Sequence, residues 1–247
     1  MLKQRQSLHT YVVREIGKHI VSGKWPHGRP IPGDAALCAT LGVSRTALRE
    51  ALRVLATKGL VEARQKVGTV VRPREEWNSL DFDVLTWRVE SDEADKVITE
   101  LYELRQLIEP HAAALAASNA TRRDLTWLQR AYDDMVLAGD DGEKVLDPDV
   151  RFHRGIIAAT GNTLFVSLGL IVAAALEVNF VAIKDSPRGH AWALPLHKAI
   201  LDAVLARDPK EARVAMQRLL SSSEKDMHTA RSAQPRRRRS AHARSST

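Results

Sequence analysis

Apolar residues recur at helical spacing along almost the whole stretch from Leu80 to Met227, and no alternating strand pattern competes with them. Short polar or glycine-containing breaks interrupt it near residues 118–119, 139–142, 160–162, 186–189 and 208–209. These breaks delimit about six or seven helices, each with one apolar stripe. Because an antiparallel bundle buries many such stripes at once, the pattern predicts an all-helical domain over residues 80–227.

The residues before this stretch follow a different order. They predict helices over residues 8–22, 34–40 and 44–58, then two short strands over 60–63 and 69–71. Gly42 suits the end of the second helix, and Ser44 is a favourable N-cap for the third. This order predicts a winged helix-turn-helix over residues 1–73 and a polar linker over 74–79. The expected fold class is therefore mainly α.

Charge is divided unevenly along the chain, whose formal net charge is +7. Residues 1–75 contain 14 Lys and Arg against 5 Asp and Glu, whereas residues 228–247 contain 6 Arg and no acidic residue. The middle of the chain is therefore acidic. A basic head favours a polyanionic partner such as DNA. The Arg-rich tail, residues 228–247, lacks apolar residues that could pack, which predicts disorder.

Other features of composition bear on the compartment. Cys38 is the single cysteine, which excludes an internal disulfide and a multi-cysteine zinc site. No window approaches the roughly 18 apolar residues of a spanning helix, and the N-terminal residues lack the apolar core of a signal peptide. We expect a cytoplasmic protein with no membrane partner.

The third predicted helix has an apolar side and a cationic side. At about 100° per residue, Leu48, Ala51, Leu52 and Leu55 share one arc, and the arginines share the next. Exposed arginines near a helix N-terminus can enter the major groove and bind guanine, while hydroxyl groups and a glycine-containing wing approach the phosphates. The alternative is an ordinary solvated face. The candidate DNA contacts are Ser44, Arg45, Thr46, Arg49, Arg53, Arg64, Lys66 and Gly68.

Arg105 lies on the apolar stripe of the helix predicted from Ala94 to Ala117. A buried guanidinium without a counter-charge is costly, so an anion is expected beside it. One candidate is Glu109, one helical turn away, and the other is the carboxylate of a bound ligand. The residues leave both open.

Asp149 and His153 are four residues apart and share one face of a helix that Asp147-Pro148 is expected to open. His197 belongs to a later helix. A carboxylate with two imidazoles is a ligand set for a divalent metal (Zn, Mn or Ni). The alternative is a set of structural core histidines.

The N-terminal motifs resemble the DNA-binding head of the GntR family. The resemblance rests on residues 31–34, 59–61 and 68–71 and on Gly42-Val43-Ser44-Arg45-Thr46-Ala47-Leu48-Arg49-Glu50-Ala51-Leu52. It implies DNA contacts by Arg45, Thr46, Arg49 and the wing around Gly68. Gly33-Asp34 stands where the family usually has Ser-Glu.

Residues 103–110, 149–153, 159–162 and 197–200 resemble the FCD ligand-binding domain of the FadR-type branch of that family. The resemblance implies a helical bundle with a pocket for organic acids, often organised by a metal on one Asp and three His. The third His would be expected near Leu219 and is absent, which puts metal binding in doubt and lets His153 and His197 contact the ligand directly. Residues 73–87 resemble the corresponding segment of galactonate-operon repressors.

Together these features predict a homodimeric repressor of sugar-acid catabolism that a sugar-acid effector, such as galactonate, releases from a palindromic double-stranded DNA operator. Three alternatives stay open. They are a regulator that responds to another small carboxylate, a metal-dependent sugar-acid enzyme built on the Asp149 cluster, and a nonspecific DNA binder that depends on Arg236–Arg239.

Overall fold

The computed structural model describes residues 2–183 and 190–233. In order, its elements are α1 (Leu2–Val21), α2 (Asp34–Leu41), α3 (Arg45–Thr57), β1 (Val61–Arg64), β2 (Gly68–Val71), α4 (Phe82–Val89), α5 (Ala94–Asn119), α6 (Arg122–Ala138), α7 (Gly142–Ala158), α8 (Thr163–Ile183), α9 (Leu194–Leu205) and α10 (Pro209–Ala233). The predicted mainly helical fold is confirmed. Two compact units divide between Thr99 and Glu100, within α5. None of the described helices is both long and apolar enough to span a membrane.

The first unit is a winged helix-turn-helix. Gly42 ends α2 in the left-handed region (φ 67°), and the Ser44 hydroxyl caps α3 by accepting the N–H of Ala47 at 3.2 Å. Strands β1 and β2 pair antiparallel, with Arg64 opposite Gly68. A buried core of Ile16, Leu48, Ala51, Leu55 and Leu60 holds α1, α3 and the wing together.

The sheet contains a contribution that the sequence analysis missed. Pro30 bridges Val70, and the N–H of Ile31 donates to the carbonyl of Thr69 at 2.9 Å. The Gly- and Pro-rich residues before α2 look like a plain turn because proline cannot complete a strand ladder. Helix α1 also begins at Leu2, before the predicted Leu8.

Residues 74–79, predicted to be a linker, form an ordered segment packed on the first unit. Arg74–Glu76 make a single 3-10 turn, and Trp77 is buried with its indole N–H donating to the carbonyl of Arg72 at 3.0 Å. Helix α4, which the sequence analysis placed in the bundle, packs against α1 and belongs to the first unit. The sequence analysis predicted a linker because residues 74–79 are mostly polar, but burial of the one tryptophan among them, Trp77, orders the segment.

The second unit is a helical bundle in which α7 packs between α6 and α8, and α9 packs against α10. Small residues of α5 allow the larger side chains of neighbouring helices to pack closely against it. The core of this unit includes Ala113, Ala116, Phe152, Ile156, Ile200 and Met216. Helix α7 begins at Gly142 with Asp141 as its N-cap, so the expected start at Asp147-Pro148 is wrong. Helix α10 continues past Met227 to Ala233, whereas the rest of the Arg-rich tail lies outside the described residues.

Candidate functional site

Helix α3 presents its predicted cationic side to solvent. Leu48, Ala51 and Leu55 are completely buried. Arg49 and Arg53 have side chains that are 72% and 77% exposed, and Arg45 and Thr46 are exposed as well. The helix therefore has the two faces that a groove-reading helix needs.

The exposed arginines differ in how firmly the protein already holds them. Arg53 donates to Glu50 at 2.6 Å and Arg64 pairs with Glu62 at 2.7 Å, whereas Arg49 lies 3.8 Å from Asp34. Within the described part of the chain, Arg45 has no ion pair. Since a paired arginine must give up its carboxylate to bind a base, Arg45 and Arg49 are better placed to do so than Arg53.

The wing tip brings two further predicted residues to the surface. Lys66 takes the left-handed region (φ 62°), and Gly68 has φ 101° with no heavy atom within 4 Å of the position of a Cβ. The backbone at Gly68 is therefore open to close approach by a phosphate chain.

The predicted effector residues meet in one cavity of the second unit. Helix α5 supplies Arg105, α7 supplies Asp149 and His153, and α9 supplies His197. The cavity encloses about 70 Å³, and its lining also includes Leu219 of α10. Four side chains from three helices therefore meet in this cavity.

Arg105 is paired with a carboxylate of the protein itself. Its Nε donates to Oε1 of Glu109 at 2.5 Å, and the two side chains are 4% and 1% exposed. Burial alone would raise the pKa of Glu109, but Arg105 and His153 lower it from 4.5 to about 2. Of the two anions that the sequence analysis considered for Arg105, Glu109 is therefore present beside it. Arg105 also lines the cavity.

The two histidines have their Nδ1 atoms engaged by acceptors. His197 Nδ1 lies 2.9 Å from the carbonyl oxygen of Ala193, and His153 Nδ1 faces a carboxylate oxygen of Glu109. A carbonyl or an ionised carboxylate can only accept a hydrogen bond, so each Nδ1 carries a proton. In the neutral ring the Nε2 atom is then an unprotonated acceptor, and both Nε2 atoms point at Asp149.

These acceptors form a small triangle. His197 Nε2 lies 2.9 Å from Asp149 Oδ1, the two Nε2 atoms are 3.4 Å apart, and His153 Nε2 lies 3.6 Å from the same oxygen. Among the described residues, none gives this buried oxygen a well-aligned hydrogen bond. Acceptors this close repel one another unless protons or a cation lie between them.

The triangle fits a divalent metal. Ligand atoms at about 2.0–2.1 Å from a tetrahedral zinc ion lie about 3.3 Å from one another, close to the spacing found here. Burial opposes ionisation of Asp149, but its pKa is lowered to about 2 by His197 and His153 when their rings carry a proton on Nε2, and by Arg105. Asp149 is therefore a carboxylate near neutral pH. The described residues contain no fourth His, Cys, Asp or Glu at this cluster, which leaves coordination positions for other ligands.

One wall of the cavity was not anticipated. The rings of Phe180 and His190 stack with centroids 5.0 Å apart, close to Gly142 at the start of α7. Asp140 fixes this wall by accepting the N–H groups of His190 and Ala191 at 2.8 and 2.7 Å. No sequence motif pairs Asp140 with His190, because they are far apart in the chain and meet only in the fold.

Comparison with known proteins agrees with this geometry. Residues 8–71 match the model of the bacterial regulatory proteins of the gntR family, and residues 100–222 match the FCD domain. The Escherichia coli K12 galactonate operon transcriptional repressor is 33% identical over 213 residues, which cover 86% of this chain and 93% of the repressor. The Uxu operon transcriptional regulator of the same organism is 32% identical, covering 84% of each chain. The solved structure of Listeria monocytogenes Lar shares the fold, with a TM-score of 0.63, 18% identity and coverage of 90% of this chain and 96% of Lar.

These matches decide between the classes of function that the sequence left open. Relatives that cover most of both chains are transcription regulators, so the alternative of a metal-dependent sugar-acid enzyme is excluded. The exposed arginines of α3 lie in the part of the chain that matches the gntR family, and Arg105, Asp149, His153 and His197 lie in the part that matches the FCD domain. The chain belongs to the GntR family of bacterial transcription regulators and carries an FCD domain.

Proposed function

We propose that this chain is a homodimeric repressor of sugar-acid catabolism that leaves a palindromic operator when a sugar acid binds in the cavity. The observation that carries the proposal is the meeting of Arg105, Asp149, His153 and His197 in one cavity of a regulator. The galactonate and Uxu operon regulators are similar along most of the chain, which supports an acid of this class.

The proposed effector is held at its carboxylate end. Arg105 lines the cavity and supplies a fixed positive charge, and guanidinium groups bind carboxylates with geometric specificity. The cluster of Asp149, His153 and His197 would hold a Zn, Mn or Ni ion. Such an ion offers open positions to a carboxylate and a neighbouring hydroxyl, the pair of groups that an aldonic acid carries.

The cavity is small for such a ligand. Its volume of about 70 Å³ accommodates an ion with some water, whereas pockets for small molecules usually measure about 300–1,000 Å³. We therefore expect effector binding to displace a wall, and the Phe180–His190 stack is the wall that lies beside α7. An effector that binds the displaced arrangement more tightly than the closed one shifts the population toward the displaced arrangement.

Two arguments support the proposed dimer: the two-fold symmetry of a palindromic operator and the exposed apolar residues of helix α8. A palindromic operator requires two heads related by a two-fold axis. Helix α8 has Glu177 as its one charged residue, yet Val166 and Leu170 are 50% and 63% exposed in the single chain. A helix that is apolar on most sides is normally buried, so a second copy is the proposed cover. Sedimentation velocity tests it, and a monomer at micromolar concentration would contradict it.

The effector is tested by a thermal-shift screen of aldonic, uronic and keto-deoxy sugar acids, each with and without Zn²⁺, Mn²⁺ or Ni²⁺. A true effector raises the melting temperature of the wild-type protein, and the rise continues with the logarithm of its concentration above the dissociation constant. The same acid must fail to stabilise the Arg105→Ala protein and must release a DNA duplex selected from a random library. If other carboxylates stabilise the protein and no sugar acid does, the sugar-acid proposal is wrong.

A further inference from the structure

Glu109 is a buried carboxylate shared by two functional side chains. It lies one turn after Arg105 on α5 and reaches His153 on α7. One carboxylate oxygen accepts the Nε–H of Arg105, and the other accepts the Nδ1–H of His153. Both oxygens are thereby used by groups that line the cavity, although Glu109 itself does not line it.

The shared position decides which nitrogen of His153 carries the proton. Arg105 donates its Nε–H to one oxygen of Glu109 at 2.5 Å, and a carboxylate paired with a guanidinium in this way can only accept at its other oxygen. The neutral ring of His153 must then be protonated at Nδ1, and its lone pair on Nε2 points at Asp149 and His197. The carbonyl of Ala193 fixes the ring of His197 in the same tautomer.

We propose that Glu109 is a positioning residue for the metal cluster: it holds His153 as the Nδ1–H tautomer, and Arg105 holds Glu109 in turn. This inference rests on the proposed metal function. It assigns Arg105 a second task besides the effector, because removal of Arg105 would loosen the carboxylate that orients His153. Partners of this kind usually change metal affinity about 10- to 100-fold.

The test uses Glu109→Gln in the full chain, with Glu103→Gln as the matched control. Glu103 is exposed on the same helix α5, so its replacement removes the same charge without touching His153. Zn²⁺ affinity is measured by competition with a chelating dye. We expect a 10- to 100-fold loss for Glu109→Gln, no change for the control, and partial recovery for Glu109→Asp. Wild-type Zn²⁺ affinity in Glu109→Gln would overturn the inference.

A second measurement separates the inference from the metal proposal. Long-range ¹H–¹⁵N NMR of metal-free, ¹⁵N-histidine-labelled protein at pH 8 reports the tautomer of each ring directly, and the His153→Gln protein identifies the resonance. We expect His153 to be protonated at Nδ1 in the wild type and to become a mixture of tautomers in Glu109→Gln. An Nε2–H tautomer in the wild type would overturn the inference even if Glu109→Gln did not fold. Failure of the wild type to bind Zn²⁺, with the expected tautomer present, would overturn the metal proposal and the metal role of Glu109, and would leave only its control of the His153 tautomer.

Discussion

At the scale of single residues, ion pairs within the protein distinguish three arginines of α3 that look equally suited to bind DNA in the sequence. Arg45, Arg49 and Arg53 recur at helical spacing and look equivalent on a helical wheel. The structure shows Arg53 bonded to Glu50, Arg49 at the limit of an ion pair with Asp34, and Arg45 exposed. Exposed ion pairs contribute little to stability. They nevertheless determine which arginine can bind a DNA base without first breaking an ion pair.

Replacement of Arg45 or Arg49 should weaken DNA binding more than replacement of Arg53. We expect Arg45→Ala and Arg49→Ala each to cost about 1–3 kcal/mol of binding to a selected operator duplex, because each removes a bidentate base contact. Arg53→Ala should cost less. Fluorescence anisotropy at fixed salt measures the loss, with the exposed Arg130→Ala on α6 as control. Unchanged affinity in both variants would show that α3 does not read the operator.

Replacement of Arg105 should separate the two functions of the chain. Arg105→Ala should bind the operator duplex with wild-type affinity and lose its response to the acid found by the thermal-shift screen. It should also lower the free energy of unfolding by about 1–3 kcal/mol, because one of the two oxygens of the buried Glu109 loses its partner. Urea unfolding and anisotropy with added acid measure both effects. A normal response to the acid would mean that the cavity has been misassigned.

The substitution Leu219→His should add a fourth ligand to the proposed metal site. Leu219 is buried and lines the cavity beside Asp149 and His153. Because zinc prefers four ligands, we expect Leu219→His to bind Zn²⁺ at least about tenfold more tightly than the wild type. Leu205→His, at an exposed position on α9, is the control. Equal affinities in the two variants would place the metal away from this cluster.

Much of the residue-level site could be predicted because spacing is visible in a sequence. The four-residue interval between Asp149 and His153 fixes one helix face, and the position of Arg105 on an apolar stripe fixes its burial. The role of Glu109 as an acceptor for His153 could not be predicted, because it depends on how α5 packs against α7. The Asp140 contact with His190 escaped prediction for the same reason.

At the scale of elements, helix α4 is bonded to the residue that follows helix α3. Lys58, one residue after α3, is 12% exposed and bonds Asp81 at 2.8 Å and Asp83 at 2.7 Å. Asp81 also caps α4 by accepting the N–H groups of Asp83 and Val84. Burial opposes the charge on Lys58, yet these two carboxylates raise its pKa. The position of α3 is therefore coupled to that of α4.

Packing of α4 on α1 depends on a glycine. A Cβ at Gly17 would lie 2.2 Å from a ring carbon of Trp87. Alanine favours a helix over glycine by about 0.5–1 kcal/mol, but overpacking costs about 1–3 kcal/mol, so Gly17→Ala should destabilise the head. Trp87→Leu should make room and give a favourable coupling term in a double-mutant cycle measured by urea unfolding. Additive effects would show that the two positions do not touch.

The sequence predicted helices well where apolar residues recur at helical spacing without interruption. It predicted the first and last residues of the helices poorly. Helices α3 and α5 have strong patterns, and Ser44 marks the start of α3. The start of α7 was misplaced because Pro148 is common in a first helical turn, whereas here it lies inside a helix that Asp141 already caps. Residues 74–79 looked like a linker because packing of Trp77 is a tertiary contact.

At the scale of the whole molecule, the basic residues are concentrated in residues 1–75, whereas residues 76–227 carry more acidic than basic residues. A basic head of this kind suits a segment that meets DNA. The proposed coupling requires the effector to bind one arrangement of the dimer better than the other, and typical coupling free energies are about 1–3 kcal/mol.

The most direct test is a titration of the full chain with two DNA duplexes of equal length at physiological salt, one carrying the selected palindrome and one with the same bases scrambled. A specific regulator should bind the palindrome about 10³-fold or more tightly and should lose that preference when the effector and metal are added. Equal affinity for the two duplexes, with a steep dependence on salt, would contradict the account and indicate a nonspecific DNA binder.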